Sequence, residues 1–222
     1  LSQVPPPPLF SGETYTTMFS ANYDYQGNGS VQLLTKNPAA PNEMIAVMMG
    51  DQDSTDPPPF SKRYTYTAIT TNNGLNWYSM PLMNIRSGFP QTTIIYGTHY
   101  IVQHEGTPNT IKVYGDVVFG AFSYSIFTPP ALLPNGTWGG IAGNPSGLQL
   151  SVFATVNNNA SPFPIYKIIS TNAGNNWIGS WTQVPNITGP SGSYSCFSAA
   201  GGLLGIIGFN YDSMLINRGS GT

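Results

Sequence analysis

Charged side chains are scarce in this sequence of 222 residues, at 7% of the total, against roughly 25% in an ordinary soluble domain. There are seven lysines and arginines and nine aspartates and glutamates, for a net charge of −2. Binding of nucleic acid depends on clustered Lys and Arg that neutralise phosphates. The few basic residues here are scattered, so we exclude nucleic acid as a partner. Polarity supplied instead by Asn, Ser, Thr and Gly is typical of an extracellular surface.

Cysteine and long apolar runs are lacking as well. Cys196 is the only cysteine, which excludes an internal disulfide framework and a Cys-based zinc site. The longest apolar run, 201–209, is too short to cross a bilayer, so we expect no membrane insertion. The sequence starts Leu1-Ser2-Gln3, without a basic n-region, and we interpret this as a mature end left after signal removal. The predicted location is extracellular or at the cell surface.

Helical periodicity is also missing, since no window of eleven residues or more has an amphipathic helical pattern. Short stretches of β-branched and aromatic residues alternate with turn clusters, which predicts an all-β fold. Residues 194–199 around Cys196 have this strand character, which favours a buried cysteine. The other predicted strands are 14–19, 31–35, 44–50, 64–71, 100–103, 111–114, 117–127, 148–156, 165–170 and 203–209.

The N-terminal residues 1–12 are predicted to form an arm. Pro5, Pro6, Pro7 and Pro8 favour a stiff polyproline II segment of up to roughly 30 Å. The segment ends in the apolar pair Leu9-Phe10. It is either a plain linker or spacer, or an assembly arm that packs on a neighbouring copy of the chain.

An internal repeat is the most informative feature. Residues 66–77, YTAITTNNGLNW, recur without a gap as residues 166–177, YKIISTNAGNNW. Each copy predicts a hairpin in which Gly supplies a positive φ, an Asn side chain accepts backbone hydrogen bonds, and a Trp returns to the core. We therefore predict two duplicated β units, 13–115 and 116–222.

The two copies resemble the Asp box of the BNR-type repeats in sialidases and related β-propellers. The residues that carry the resemblance are Thr70, Asn72, Gly74 and Trp77, and Ser170, Asn172, Gly174 and Trp177. Both copies depart from the family pattern by having Asn in place of its Asp. In the family the box lies on an outer turn and serves the fold, so the resemblance implies architecture only. It implies either a small β-propeller of four or five blades, with the boxes two blades apart, or box hairpins set in two sandwich-like halves.

Catalytic residues are not apparent in the sequence. Sialidase chemistry would require a cluster of arginines, a Tyr–Glu nucleophile pair and an acidic Asp. The sequence has three arginines, Arg63, Arg86 and Arg218, and no local spacing that suggests a carboxylate pair across a cleft. We therefore predict that the chain is not an enzyme and requires no cofactor.

Two groups of residues are candidate metal ligands. Asp51, Asp53 and Asp56 lie close together in a loop and could offer oxygens to Ca²⁺, although a solvated acidic turn is the simpler interpretation. His99 and His104 flank a strand-like segment, but a spacing of five places them on opposite faces, which argues against joint metal binding.

Four Asn residues begin N-glycosylation sequons and are candidate modification sites: Asn28, Asn135, Asn159 and Asn186. Four is also the number that the composition gives by chance, so the count carries no weight.

The sequence favours a non-catalytic extracellular structural protein, a subunit of a surface fibre that is held together by an arm or strand docking on copies of itself. The alternative is an Asp-box carbohydrate-binding module or a sialidase-like glycoside hydrolase, with glycans as partners. A phage or virus fibre domain shares the same composition.

Overall fold

The computed structural model describes residues 23–24, 33–51, 53, 55–56, 60–130, 132–144, 147–156, 163–189, 194–199, 203–210 and 213–219. Sixteen strands and no helix occur in these ranges, which confirms the all-β prediction. None of this part of the chain forms a helix able to cross a membrane. The predicted arm, Pro5 to Phe10, and the predicted strand 14–19 lie outside the described residues.

Sheet 1 is antiparallel, and its first strand is in two pieces. Both pieces pair with one edge of the long strand β3, and β4 pairs with the other edge. The sheet therefore has four strand positions although it contains five strands: β1 Tyr23–Asp24, β2 Leu34–Lys36, β3 Met44–Asp51, β4 Tyr64–Thr70 and β5 Tyr78–Pro81.

Sheets 2, 3 and 4 follow in chain order as antiparallel meanders, in which each strand pairs with the next one along the chain. Sheet 2 consists of β6 Ser87–Ile95, β7 Thr98–Glu105, β8 Thr110–Asp116 and β9 Tyr124–Ile126. Sheet 3 consists of β10 Gly136–Gly143, β11 Leu150–Val156, β12 Phe163–Ser170 and β13 Ile178–Gly189. Sheet 4 consists of β14 Tyr194–Ala199, β15 Leu203–Asn210 and β16 Ser213–Gly219.

The sheets pack face to face like the blades of a β-propeller. The first strand of each sheet contacts the first strand of the next: β2 meets β6, β6 meets β10, and β10 meets β14. Successive residues of β7 pack into two different hydrophobic cores, because side chains in a strand alternate between its two faces. Ile101 packs against Ile45 in sheet 1, and Val102 packs against Ile141 and Val152 in sheet 3. Burial of each such side chain contributes about 2 kcal/mol to the free energy of unfolding.

The meander topology gives the sheets two different ends. The turns from first to second and from third to fourth strand lie at one end, which we call the box end because it carries 71–77 and 171–177. The loops from second to third strand, and the connections between sheets, lie at the other end, which we call the loop end.

The structure confirms most of the predicted strands within the described residues and corrects one. Residues 117–127 were predicted as a strand, but only Tyr124–Ile126 pairs. Asp116 Oδ2 accepts a hydrogen bond from the N–H of Gly120, whose φ is +80°, and the chain turns there. The boundary at 115/116 between the two predicted units falls inside β8.

The sequence patterns did not predict β6 and β10, the inner strands at which sheets 2 and 3 meet. β10 is rich in Gly, and in β6 Gly88 and Pro90 precede the β-branched residues 92–95. Close packing requires these glycines. A Cβ on Gly139 would lie 2.8 Å from a methyl carbon of Val102, and one on Gly143 would lie 2.5 Å from Ile95. At these positions, where sheets 2 and 3 meet, the close approach leaves no room for a side chain.

Candidate functional site

The first Asp-box-like turn joins β4 to β5. The hydroxyl of Thr70 accepts hydrogen bonds from the N–H groups of Asn72 at 3.3 Å and Gly74 at 3.0 Å, and donates to the side-chain carbonyl of Asn72 at 2.9 Å. That carbonyl also accepts the N–H of Asn76 at 2.9 Å. Two side chains thus satisfy three backbone donors of the turn.

The second turn, between β12 and β13, repeats the same four bonds. Ser170 accepts from Asn172 at 3.3 Å and from Gly174 at 2.9 Å, and donates to Asn172 at 3.0 Å. Asn172 accepts from the N–H of Asn176 at 2.7 Å. Asn therefore performs in this chain the acceptor role that the family pattern gives to Asp, and Ser and Thr are interchangeable before it.

The tips of the two turns share a backbone conformation that favours Gly. The φ angles are +58° and +87° at Asn73 and Gly74, and +57° and +80° at Ala173 and Gly174. Two consecutive positive φ values are the requirement of a type I′ turn. The positive φ values of Gly74 and Gly174 agree with the predicted requirement for glycine at these two positions.

The second Asp-box-like turn, residues 171–177 (the second box; 71–77 is the first box), is hydrogen-bonded to sheet 2. The indole Nε1 of Trp177 donates to the carbonyl of Phe127 at 2.9 Å, and the hydroxyl of Tyr100 donates to the carbonyl of Ala173 at 2.9 Å. The ring of Trp177 is half-buried against the core between sheets 2 and 3. These bonds join neighbouring sheets, which is a structural role.

A cluster of cationic and aromatic side chains lies at the loop end, away from both boxes. We call it the arginine face: Arg63, Arg86, Phe89, His104 and Trp138. The guanidinium of Arg63 lies 5.9 Å from the centre of the Phe89 ring, and its Nε donates to the carbonyl of Ser87 at 3.1 Å. Phe89 is 5.3 Å from His104 and 6.3 Å from Trp138 between ring centroids.

Two equivalent β-bulges build the arginine face. The register shifts after Gly88 in β6 and after Thr137 in β10, so each inner strand has one extra residue. The bulges place Phe89 and Trp138 at φ values of +50° and +48°. A positive φ at a non-glycine residue costs about 1–3 kcal/mol and tends to occur at functional sites. Two such residues at matching positions of adjacent sheets mark this surface as a candidate site.

His104 is an uncharged member of the arginine face. Burial, and then the charges of Arg63 and Arg86, lower its pKa to about 3. Its Nδ1 accepts the backbone N–H of Trp138 at 3.2 Å, so the neutral ring carries its proton on Nε2. At neutral pH the positive charge of this face therefore comes from the guanidinium groups.

A buried Tyr–Glu pair lies at the same end, between sheets 1 and 2. The hydroxyl of Tyr114 donates to Glu105 at 3.0 Å, and the side-chain amide of Gln103 donates to the same oxygen at 2.8 Å. Burial, and then the charge of Glu105, raise the pKa of Tyr114. The phenol stays protonated, so this pair holds the carboxylate of Glu105 in place and does not supply a phenolate nucleophile.

The acidic loop after β3 also reaches the loop end. Asp51 is fully buried; burial and the neighbouring carboxylate of Asp56 raise its pKa, against a hydrogen bond from the N–H of Asp53 at 2.7 Å. Asp53 forms an ion pair with Lys62, and Asp56 accepts the N–H of Lys62 at 2.7 Å. No three His, Cys, Asp or Glu side chains in the described ranges are arranged to hold a metal ion. Calcium binding by Asp51, Asp53 and Asp56 remains a prediction.

The two histidines lie on opposite faces of β7, as their spacing predicts. His99 Nδ1 lies 2.8 Å from the hydroxyl of Thr35 in sheet 1, and His104 Nδ1 lies 3.1 Å from that of Thr137 in sheet 3.

The sequons occupy different settings. Asn135 is exposed in the turn before β10, and Asn186 lies within β13 and not in a turn. Asn28 and Asn159 lie outside the described residues, and glycosylation remains a prediction for all four.

Sequence inspection missed the arginine face because its members come from four separate places in the chain, 63, 86–89, 104 and 138. The charges of Arg63 and Arg86 both lower the pKa of His104, whereas Arg218 lies in β16 of sheet 4. The available signal was an aromatic residue next to Gly in two weakly β-like stretches, Gly88-Phe89-Pro90 and Thr137-Trp138-Gly139.

Comparison with known proteins identifies the fold. No family model and no curated protein matches the sequence. Among solved structures, the chain resembles a sialidase from Trypanosoma rangeli (TM-score 0.56, 14% identity, 86% of this chain and 36% of that one). It also resembles an exo-β-1,3-galactanase from Clostridium thermocellum (0.52, 10%, 79% and 40%) and an α-L-arabinanase from Penicillium chrysogenum (0.50, 12%, 78% and 56%). The chain thus spans between about a third and just over half the length of these enzymes.

The prediction that the chain is not an enzyme is overturned by these neighbours, all of which are glycoside hydrolases. The prediction rested on the lack of a local catalytic spacing. In a fold made of successive sheets, a site at one end gathers residues that are far apart in sequence, so local spacing does not test for catalysis. The predicted fibre-subunit role gains no support from the same comparison.

Proposed function

We propose that the chain acts on carbohydrate as part of a glycoside hydrolase of β-propeller type, and that the arginine face binds the glycan. The observation that carries the proposal is the convergence of Arg63, Phe89, His104 and Trp138 at the loop end of three adjacent sheets. The likeness of the fold to galactanase, arabinanase and sialidase structures supports it.

The chemistry of the arginine face suits a sugar that carries an anionic group. Guanidinium groups bind carboxylate or phosphate oxygens through paired N–H donors. Phe89 and Trp138 are only half-buried, and each offers an apolar ring to the C–H face of a sugar. His104 lies buried behind this surface and adds no charge to it.

Two buried carboxyl groups at the loop end, Asp51 and Glu105, are proposed as the acid–base pair. Glycosidases use one protonated and one ionised carboxyl group. The raised pKa of Asp51, caused mainly by burial, suits the proton donor. Glu105, which accepts two hydrogen bonds from Gln103 and Tyr114, is the proposed second carboxyl group. A propeller glycosidase of this kind is also consistent with the predicted extracellular location, which we retain as part of the proposal.

Calorimetric titration with neutral and uronic-acid oligosaccharides tests the binding proposal. We expect the native chain to bind an anionic glycan, and Arg86→Met to weaken binding by about tenfold, which is the loss of one charge-assisted hydrogen bond. Lys62→Met is the matched control, since it removes the same charge from a side chain paired with Asp53. Equal binding by both variants, or no binding to any glycan, would contradict the proposal.

Hydrolysis of fluorogenic glycosides tests the acid–base pair. Asp51→Asn and Glu105→Gln should each lower kcat at least about 100-fold while the affinity for the glycan is kept. Asp116→Asn, which alters a buried carboxyl group at the box end, should leave kcat unchanged. Full activity of Asp51→Asn would remove Asp51 from the mechanism.

A further inference from the structure

A groove of about 410 Å³ lies between the last strand of sheet 2 and the second box. It lies at the box end, whereas the arginine face lies at the loop end. Pockets that bind small ligands generally have volumes of roughly 300–1,000 Å³. Its lining combines aliphatic, aromatic and amide side chains with turn backbone, contributed by Ile126, Phe127, Thr128, Pro130, Gly174, Asn175, Asn176 and Trp177.

We propose that this groove is a second glycan-binding site and that its ligand is an uncharged oligosaccharide. None of its eight lining residues carries an ionisable side chain. A carboxylate or an ammonium group entering it would lose water without gaining a charged partner, which is costly. Sugar hydroxyls, in contrast, are matched by amide groups that both donate and accept hydrogen bonds.

Trp177 is held in position to form one wall of the groove. Its Nε1 donates to the carbonyl of Phe127 at 2.9 Å, which fixes the ring between the two sheets. Asn175 and Asn176 are exposed at the rim, and the Nδ2 of Asn175 donates to the carbonyl of Asn172 at 2.8 Å. A rigid aromatic ring beside oriented amides loses little conformational entropy when a sugar stacks on it.

The first box offers a matched comparison. It has the same turn bonds and the equivalent Asn76 and Trp77, but its tip is approached by Lys36, whose Nζ donates to Asn73 Oδ1 at 3.1 Å. The second box, in contrast, lies beside the end of sheet 2 and the segment that follows it, and Ile126, Phe127, Thr128 and Pro130 form the opposite wall of the groove. The proposal therefore predicts sugar binding at the second box and none at the first.

Nuclear magnetic resonance of the tryptophan indole groups tests the proposal in the intact chain. The four tryptophans give one indole N–H signal each, and they report on separate places: Trp77 on the first box, Trp138 on the arginine face, and Trp177 and Trp181 on sheet 3. Each signal is assigned from the corresponding Trp→Phe variant, and the protein is then titrated with neutral tetrasaccharides of arabinose, galactose and glucose.

We expect at least one of these sugars to shift the Trp177 signal saturably, with a Kd on the order of 1 mM or tighter, and to leave the Trp77 signal in place. Asn176→Ala should weaken this binding at least fivefold, and Asn76→Ala should not change it. Absence of a saturable shift at Trp177, or equal responses at Trp77 and Trp177, would overturn the proposal. A separate titration with a uronic-acid oligosaccharide, followed at the Trp138 signal, tests the proposed function, so the two proposals can fail independently.

Discussion

At the scale of single residues, the most unusual feature is the burial of groups that would normally be charged. Asp116 lies at the end of β8 and is 2% exposed. Burial raises its pKa to about 6, against one hydrogen bond from the N–H of Gly120 at 3.3 Å. A carboxyl group whose pKa is higher in the folded chain than in the unfolded chain destabilises the fold once it ionises.

Replacing this carboxyl group should stabilise the protein at neutral pH. Between pH 4 and 6 the unfolded chain releases the Asp116 proton while the folded chain retains it, so the free energy of unfolding falls as pH rises. Asp116→Asn escapes this loss and keeps an acceptor for Gly120. We expect it to be more stable than the native chain by about 1–3 kcal/mol at pH 7, with the gain vanishing near pH 4. Urea denaturation at the two pH values measures this, and equal stability at pH 7 would contradict it.

His104 should have the opposite pH dependence. Its pKa is lowered to about 3 by burial and the nearby arginines, so below pH 6.5 the unfolded chain takes up a proton that the folded chain does not. Stability is therefore lost as pH falls, by about 2 kcal/mol at pH 5 for this one group. His104→Asn keeps an acceptor for the N–H of Trp138. Between pH 7.5 and 5, its free energy of unfolding should fall by about 2 kcal/mol less than that of the native chain. Parallel pH profiles for the two proteins would show that His104 is not buried as described.

At the scale of structural elements, the two boxes show what can be predicted from sequence. The residue pattern predicted the turn, the acceptor role of Asn72 and Asn172, and the positive φ of Gly74 and Gly174, because all of these are local. The inner strands β6 and β10 could not be predicted in the same way. Their glycines are required by side chains of other sheets, such as Val102 against Gly139, and contacts between sheets leave no local pattern.

The arginine face was unpredictable for the same reason. It depends on two bulges, and a bulge is a mismatch between the lengths of paired strands. Single-strand patterns around Phe89 and Trp138 do not reveal such a mismatch.

The two box glycines should differ in how much an added methyl group destabilises the fold. Alanine at either position suffers the strain of a positive φ, about 1 kcal/mol. At Gly174 the new Cβ would also lie 3.1 Å from Cβ of Phe127, whereas at Gly74 its nearest contact is the flexible end of Met44 at 3.5 Å. We expect Gly174→Ala to lower the free energy of unfolding by about 1–2 kcal/mol more than Gly74→Ala does. Equal effects in thermal denaturation would indicate that sheets 2 and 3 can separate locally to accept the methyl group.

At the scale of the whole molecule, hydrogen bonds between sheets link neighbouring blades into one unit. The hydroxyls of Thr67 and Tyr124 join sheets 1 and 2 at 2.6 Å. The N–H of Gly143 donates to the hydroxyl of Thr93 at 3.1 Å and joins sheets 2 and 3. Sheet 3 in turn contacts sheet 4 through β10 and β14. Because the β7 side chains belong to two cores, sheet 2 cannot unfold without exposing the faces of sheets 1 and 3.

Loss of one of these links should therefore lower the stability of all the sheets together. Tyr100→Phe removes the hydroxyl that donates to the carbonyl of Ala173 and leaves that acceptor without its partner, which costs about 1 kcal/mol. Tyr124→Phe removes the corresponding link between sheets 1 and 2 and serves as the comparison. In each variant we expect a single unfolding transition in urea, shifted to a lower midpoint, with tryptophan fluorescence and far-ultraviolet circular dichroism coincident.

Three of the four tryptophans lie in sheet 3 or its box, so fluorescence reports on that sheet, whereas dichroism reports on all the sheets. A fluorescence transition that precedes the dichroism change in Tyr100→Phe, but not in Tyr124→Phe, would show that sheet 3 unfolds as a separate unit.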